Sequence, residues 1–528
     1  MFLRRWITAV QRYQTVGFAV FFAVVGVIIV VTSKAADGPS VGAEAETYVS
    51  AQGVTSIADA AVSGGNYVKF GAGGGGGNLA SSVTQYGITW SFDKQYTVGQ
   101  FANGDWWVHG PVQITAISPD FTGTRNGWEA NPNSASLQGL DDRLEGFVAS
   151  RVPNLPYTAT AGKSIIKGVS KSGTCGNDGQ YHYPCLTTAA VLTVLGSVPT
   201  NDGQDVFRPP FFGTNKPQFT TTQLQTNILP SFAPVANTPS LAQVARRYQR
   251  VQVDYGNTWY GRYMHASDNY AYQDNPANDN VSEYGAEIGI DADIVALRLM
   301  LNDTVAAKTP ALINYVQAGI DMYGMHSGGV TWTSDGGHFL GRKLPAVFAA
   351  TILNDASMKN EIANAQYGSY GDDGHAYYTT TPATVAALAA QGYGPALFGK
   401  PCDVGEYEQN QINDAGPRDC RDPIGMIDGG QAPGDSYQFC CITKPLKGAS
   451  LAARLLPGAK TVWNYQPLHD YIDRWVGFGA WASPDTWNSQ GKTPARNYTS
   501  LHGTNKDGGW YNDAFVDNMW TAYRGQAQ

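Results

Sequence analysis

The chain has 528 residues, of which 43% are apolar, 12% aromatic and only 15% charged, and its net charge is −8. Abundant aromatic residues and low charge exclude an intrinsically disordered chain, and a single long apolar run excludes a polytopic membrane protein. Because the chain is acidic and has no strong basic run, we expect no nucleic-acid partner.

The N-terminus predicts export. Three arginines precede, and a lysine follows, an apolar run over residues 16–31, which as a helix would span about 24 Å. The excess of positive charge on its N-terminal side places that side in the cytoplasm. We therefore expect residues 1–13 to be cytoplasmic, residues 14–33 to form a transmembrane signal anchor, and the remainder to lie outside at the cell surface. Cleavage after the run would give a secreted protein instead.

Residues 34–80 are rich in Gly, Ala and Ser and are predicted to be a linker. Residues 81–215 contain β-branched and alternating runs bounded by turn residues, which predict a β-rich N-terminal portion. The predicted strands lie at 87–92, 105–109, 112–117, 164–169 and 189–195.

Residues 216–528 carry apolar residues at helical spacing. The predicted helices lie at 241–254, 288–301, 310–323, 344–354, 382–391, 446–456, 469–478 and 514–524. Eight helices joined by long loops predict an (α/α) toroid or barrel. The expected fold class is therefore mainly α, with the β-rich portion placed before the toroid.

The six cysteines suit an exported protein. Cys175 and Cys185 lie ten residues apart in a turn-rich segment and predict a disulfide. Four more cysteines lie between residues 402 and 441; they allow three pairings, of which proximity favours Cys402–Cys420. No paired-cysteine or histidine motif predicts a metal site, so we expect no cofactor, although the Asp-rich loops leave a structural Ca²⁺ open.

A first candidate motif covers residues 278–287, directly before a predicted helix. Its polar residues include Asn280, Tyr284 and Glu287. Free backbone N–H groups at a helix start suit an anionic ligand. The alternative is a loop with capping acids and Asx turns.

A second motif covers residues 334–343, where two glycines precede His338, and Arg342 and Lys343 follow it. Glycines allow close approach of the backbone to a ligand. Repulsion from the two cations is expected to lower the histidine pKa, which favours a neutral, proton-accepting ring. The alternative is a structural histidine. His469, at a predicted helix start, is interpreted as part of a cap.

A third motif combines residues 371–378, which include His375 and Tyr377, with Tyr393 in a Gly-Tyr-Gly sequence. Tyrosines in such loops can donate protons or stack on a ligand. The alternative is an aromatic loop that packs on the core.

Several segments resemble a family of exported α/α-toroid proteins, polysaccharide lyase family 38, which contains glucuronan and alginate lyases. The matching segments are ITWSF at 88–92, GQFANGDWWV at 99–108, FRPPFFGTNK at 207–216, NVSEYG at 280–285, DGGHFLGRK at 335–343, YQFCC at 437–441 and MWTAYR at 519–524. The resemblance implies an enzyme that cleaves a uronic-acid polysaccharide by β-elimination, with that acidic polysaccharide as partner.

By the same resemblance, Asn280 looks like the group that neutralises the uronate carboxylate, His338 like the base and Tyr393 like the acid. The residues expected to contact substrate are Arg342, Lys343, Tyr284, Glu287, His375 and Tyr377. The sequence departs from the family pattern at Ala286, where a basic residue is expected, and beyond Tyr393, where a Trp-containing motif is missing.

Two other functions fit the sequence. A toroid glycoside hydrolase would use Glu287 or Asp291 with Asp335, at a separation of about 5–9.5 Å. A non-catalytic surface protein would bind glycan on exposed Trp and Tyr side chains.

Overall fold

The structure is a computed structural model. It describes residues 54–58, 66–70, 78–256, 285–399, 441–478 and 513–527, except positions 174, 178–181, 184, 334–336, 366, 381 and 391. The chain divides into two compact units, residues 1–74 and 75–528. In the first unit, strands β1 (Val54–Ala58) and β2 (Asn66–Phe70) form an antiparallel pair.

The second unit begins with a large mixed sheet. Its strands and the short hairpin beside them are β3 (Asn78–Gln85), β4 (Ile88–Gln100), β5 (Trp106–His109), β6 (Val112–Ser118), β7 (Trp128–Ala130), β8 (Tyr157–Ala159), β9 (Ser164–Ser170), β10 (Gly176–Asn177), β11 (His182–Tyr183) and β12 (Leu186–Leu195). Strands β10 and β11 pair with each other, and the other eight form one sheet in the order β7-β9-β12-β5-β4-β6-β8 with β3 beside β4. Strands β12 and β5 run parallel, and the remaining described pairs are antiparallel.

The sheet curls into a half-barrel and is apolar on both faces of its central strands. Because successive side chains of a strand point to opposite faces, β12 contributes to two cores. Leu192 and Val194 join the core enclosed by the sheet. Ala189 and Val191 join the larger core shared with the helices. The sheet is therefore a packing layer of the main unit.

A buried arginine ties the sheet to the helices. Arg208 donates from Nε to Asp105, at the entry to β5, over 2.6 Å. Its Nη1 donates to Asp321, on the third helix, over 3.0 Å. All three side chains are almost completely buried. Such a bridge leaves an unpaired buried charge if any member is removed.

The rest of the unit is mainly helical. The described helices are α1 (Leu241–Arg247), α2 (Gly285–Leu299), α3 (Val305–Ser327), α4 (Lys343–Leu353), α5 (Ala356–Ala363), α6 (Pro382–Ala389), α7 (Thr443–Leu455), α8 (Ala459–Trp463), α9 (Gln466–Phe478) and α10 (Ala514–Tyr523). Strands β13 (Ala376–Tyr378) and β14 (Ala396–Phe398) lie before and after α6 in the chain and pair antiparallel. Side chains cap several helix starts: Ser240 accepts the Gln243 N–H at 3.2 Å, as expected of an N-cap serine.

The predicted fold class, a mainly α toroid, is wrong. The described chain contains an eight-stranded mixed sheet whose central strands are buried on both faces. The sequence-based interpretation treated the strands as a portion placed before a helical ring. The sheet instead forms part of the same compact unit as the helices.

The predicted membrane-anchored localisation is also corrected. Among the described residues, no helix combines the length and apolar character needed to cross a membrane. Residues 14–33, on which the anchor was placed, lie outside the described residues.

The predicted disulfide between Cys175 and Cys185 is confirmed, with a Cα–Cα distance of 4.9 Å. Cys441 is also disulfide-bonded. The predicted Cys402–Cys420 pair lies outside the described residues.

Candidate functional site

A buried arginine holds the loop that carries His338. Arg342 donates from Nε and Nη2 to the Asp254 carboxylate at 2.5 and 3.1 Å. Its Nη1 donates to the backbone carbonyls of Leu340 at 2.6 Å and His338 at 3.3 Å. A two-point pair of this kind fixes direction as well as distance. Arg342 therefore orders the main chain around His338.

The second and third motifs pack together through two aspartates. Asp372 accepts the backbone N–H groups of Gly341 and Lys343 at 2.9 and 3.3 Å. Asp373 pairs with the Lys343 ammonium and accepts Trp463 Nε1 at 2.8 Å. Burial raises the pKa of both aspartates, and the Lys343 charge opposes that rise at Asp373. Loop 337–343 is thus fixed from the side of the third motif.

These contacts bear on the roles expected of Arg342 and Lys343. Arg342 is 0% exposed and Lys343 is 2% exposed. Each cation is already paired with a buried carboxylate. A substrate carboxylate would have to displace that partner, so we assign both residues to positioning of the loop.

The first motif reaches the same place. Gly285 is the first residue of α2, and a Cβ at this position would lie 2.2 Å from the His338 carbonyl oxygen. Only glycine allows this approach. Glu287 lies half-buried in the first turn of α2. Asn280 and Tyr284, which complete this motif, lie outside the described residues.

The third motif forms β13 and the turn before it. His375 is buried, and its ring stacks on Phe398 with a centroid distance of 5.9 Å. Tyr377 is 5% exposed, whereas its neighbour Tyr378 is 39% exposed and hydrogen-bonds to Asp470. Adjacent strand residues point to opposite faces. The tyrosine that faces solvent is therefore Tyr378, although substrate contact was expected of Tyr377.

Tyr393 lies beside the paired strands β13 and β14. Its ring packs with Tyr377, Leu388 and Leu397. Its hydroxyl lies against α9, 2.4 Å from the point where a Cβ would stand on Gly477. Tyr393 is half-buried. The structure thus places it beside the third motif, on the side that faces α9.

We name residues 285–287, 337–343 and 371–378 the loop cluster. It unites parts of all three motifs, with Tyr393 at its border. His338 is 5% exposed and His375 is 1% exposed. The two histidines of the cluster are consequently buried, in a setting where charged groups interact more strongly than in water.

The carboxylates of the rival hydrolase prediction are placed differently. Asp291 is 5% exposed and forms an ion pair with Arg247. Glu287 is half-buried, and Asp335 lies outside the described residues. Because its carboxylate is already paired with Arg247, Asp291 is poorly suited to protonate or attack a sugar.

One group of potential metal ligands occurs in the described part of the chain: Asp141 with Cys175 and Cys185. The two sulfur atoms are joined in a disulfide, so neither is the thiolate that binds a metal. The Asp141 carboxylate is paired with Arg143 at 2.7 Å. We infer that Asp141 and the Cys175–Cys185 disulfide stabilise the segment around these cysteines.

Sequence analysis missed a pocket between α7, α8 and α9. It has a volume of about 580 Å³, and Arg454, Lys460 and His469 lie in its wall. Helix α9 begins at Gln466, so the interpretation of His469 as a cap is wrong. The ring is fully buried, and Nδ1 bonds to Ser450 Oγ at 2.9 Å. We name this the α7–α9 pocket.

The charges around the α7–α9 pocket are mainly positive. Arg454 and Arg524 share the Asp473 carboxylate at 2.6 and 2.5 Å, and Lys460 lies in the pocket wall with Arg454. Burial lowers the pKa of His469 well below its usual value, and repulsion from these cations lowers it further. The sequence signal was a local excess of basic residues in a chain that is only 15% charged.

Comparison of the chain with models of known families, with curated proteins and with solved structures gave no match. The resemblance to polysaccharide lyase family 38 therefore remains a prediction from short motifs.

Proposed function

We propose that this protein cleaves a uronic-acid-containing polysaccharide by β-elimination. The observation that supports the proposal is the loop cluster: three motifs from separate parts of the sequence meet around His338. Buried, fully hydrogen-bonded partners hold the loop in place, which is the order that a proton-transfer site needs.

In this proposal His338 removes the C5 proton of the uronate. The electron pair of the C–H bond forms the C4=C5 double bond, and the C4–O4 bond breaks. Tyr393 donates a proton to the departing O4, and Asn280 donates a hydrogen bond to the carboxylate, where negative charge develops. A fixed donor at such a position typically contributes about 3–4 kcal/mol, and general acid–base assistance about 10²–10⁴ in rate.

Arg342 and Lys343 act indirectly in this proposal. Their ion pairs with Asp254 and Asp373 fix the loop that carries His338. They are positioning residues, and the charge on the substrate is met by other groups.

The test uses the full chain with a panel of glucuronan, alginate, pectate and hyaluronan. Ultraviolet absorbance detects the C4=C5 unsaturated product, which the substrate lacks. We expect a rise with at least one polymer, and a loss of about 10²-fold or more in kcat for His338→Gln. The control is His109→Gln on β5, a half-exposed histidine that bonds to Gly196 O at 3.2 Å; it should retain full activity.

Thermal unfolding of His338→Gln shows whether the variant is folded. Full activity in a folded His338→Gln variant would contradict the role of this residue. No absorbance change with any polymer, together with new reducing ends, would replace elimination with hydrolysis.

A further inference from the structure

We propose that the α7–α9 pocket binds the carboxylate of an acidic sugar, at a site that borders the loop cluster, where Tyr465 of the pocket wall donates to Ala376 O over 2.6 Å. The pocket lies between α7, α8 and α9 and has a volume of about 580 Å³, within the size range of small-ligand sites. The proposal rests on three features of this pocket: buried polar atoms, charge and neutral lining groups. It does not depend on elimination chemistry at His338.

The first feature is a pair of buried nitrogen atoms in residues of the pocket wall. His469 is 0% exposed and Arg454 is 6% exposed. Within the described residues, His469 Nε2 and Arg454 Nε have no hydrogen-bond partner. Buried polar groups are almost always paired. A ligand that accepts hydrogen bonds would satisfy them once the wall side chains move to uncover these atoms.

The second feature is the charge balance. The cations are Arg454, Arg524 and Lys460, and the neighbouring carboxylates are Asp473, shared by both arginines, and Asp470. Three positive and two negative groups leave one positive charge. A carboxylate neutralises this charge, whereas doubly charged phosphate would leave a negative charge in a partly buried site. The balance therefore favours a monoanion.

The third feature is the neutral part of the wall. Thr461, Asn464 and Gln466 line the pocket with hydroxyl and amide groups, and Tyr465 adds an aromatic ring. Hydroxyl and amide groups can pair with sugar hydroxyls, and a ring can stack on a sugar face. A hydroxylated carboxylate such as a uronic acid matches this lining better than an apolar acid does.

Ser450 sets the chemistry of His469. When the Ser450 hydroxyl donates to Nδ1, Nε2 carries the proton of the neutral ring. That N–H can donate to a bound carboxylate once the wall side chains uncover it. A bound anion would also offset the repulsion from Arg454 and Lys460 that lowers the His469 pKa. Binding should therefore shift the histidine ring signals in an NMR spectrum.

The experiment titrates the full chain with glucuronate by calorimetry, with methyl glucoside as the neutral sugar and inorganic phosphate as the plain anion. We expect glucuronate to bind at least about tenfold more tightly than methyl glucoside, the effect of one charge-assisted contact. We expect phosphate to bind more weakly than glucuronate. Glucuronate should shift the His469 ring resonances, assigned from their absence in His469→Gln.

Lys460→Ala is the main variant because this lysine is half-exposed and its replacement should not disturb folding. We expect a loss of about fivefold or more in glucuronate affinity. The matched control is Lys94→Ala, which removes an exposed lysine from β4 and should leave affinity unchanged. Equal binding of both sugars, tighter binding of phosphate, unshifted His469 signals or equal effects of the two lysine variants would overturn the proposal.

Discussion

The loop cluster and the α7–α9 pocket differ in how completely their cations are paired with carboxylates. In the loop cluster each cation has its own buried carboxylate: Arg342 pairs with Asp254 and Lys343 with Asp373. At the pocket, Arg454 of the wall shares the Asp473 carboxylate with Arg524, and Lys460 lies in the same wall as Arg454. Paired charges in the cluster hold a loop in place, whereas surplus charge in the pocket attracts an anion.

This difference shows that density of charged residues in a sequence does not by itself identify a ligand contact. Two cations, Arg342 and Lys343, closely follow His338 in the sequence. In the structure Arg342 donates to backbone carbonyls of the loop and Lys343 pairs with Asp373. The sequence around His469 has no such dense motif, yet Arg454 and Lys460 line the α7–α9 pocket. A cation contributes to binding only when its charge is not already neutralised.

The largest effect on the free energy of unfolding is expected from removing the buried ion pair between Arg342 and Asp254. Arg342→Met leaves Asp254 buried without its guanidinium, and we expect the free energy of unfolding to fall by about 3–5 kcal/mol. Urea unfolding measures this change. The control is Asp142→Asn in the Arg125–Asp142 pair. Its two side chains are 36% and 34% exposed, whereas those of the Arg342–Asp254 pair are 0% exposed. It should cost at most about 1 kcal/mol. Similar losses in the two variants would contradict the assignment of Arg342–Asp254 as a buried structural ion pair.

A smaller effect is expected from two lysines in different settings. Lys343→Met leaves Asp373 with only its Trp463 hydrogen bond among the described contacts, and we expect a loss of about 2–3 kcal/mol. Lys460→Met removes a half-exposed charge from the pocket and should change stability by less than about 0.5 kcal/mol. Chemical denaturation of both variants measures the contrast. A larger loss for Lys460→Met would show that this lysine is a structural tie.

The smallest effect is a pH dependence at His469. Burial and neighbouring cations hold the pKa of His469 in the folded chain well below the usual histidine value of about 6.5. Below that pH the unfolded chain therefore binds a proton that the folded chain does not. The free energy of unfolding should therefore fall as pH drops below 6.5, by about 1.4 kcal/mol per pH unit for one group. We expect His469→Gln to lose this part of the slope, and His109→Gln to keep it. Urea unfolding between about pH 7.5 and 5.5 measures both; an unchanged slope in His469→Gln would contradict the assignment.

Helices were the most predictable part of the fold, because apolar spacing reports them directly. The prediction of 344–354 matches Lys343–Leu353, and that of 514–524 matches Ala514–Tyr523. Helix α1 ends at Arg247, well before the predicted 254, because Val251, Val253 and Tyr255 enter the core along a non-helical segment.

Sheet topology was not predictable in the same way. The parallel pairing of β5 with β12 joins residues 86 positions apart, such as Trp106 with Leu192, and local patterns carry no information on such pairing. The toroid prediction failed because strand β12, buried on both faces, was read as part of a separate β-rich portion.

The candidate site was predictable as a set of loops and not as a set of contacts. The glycine pattern identified the segments that meet around His338. Whether a charge faces a ligand or a buried partner depends on residues far away in the sequence: Asp254 lies 88 positions before Arg342. The α7–α9 pocket likewise requires three helices to be placed together.

The most direct test of the proposed function compares two variants of the full chain on the polymer that gives the largest absorbance rise. We expect His338→Gln to lose about 10²-fold or more in kcat, and His109→Gln, whose half-exposed ring bonds to Gly196 O on the sheet side of the unit, to keep its kcat. A folded His338→Gln variant with an unchanged kcat would contradict the account.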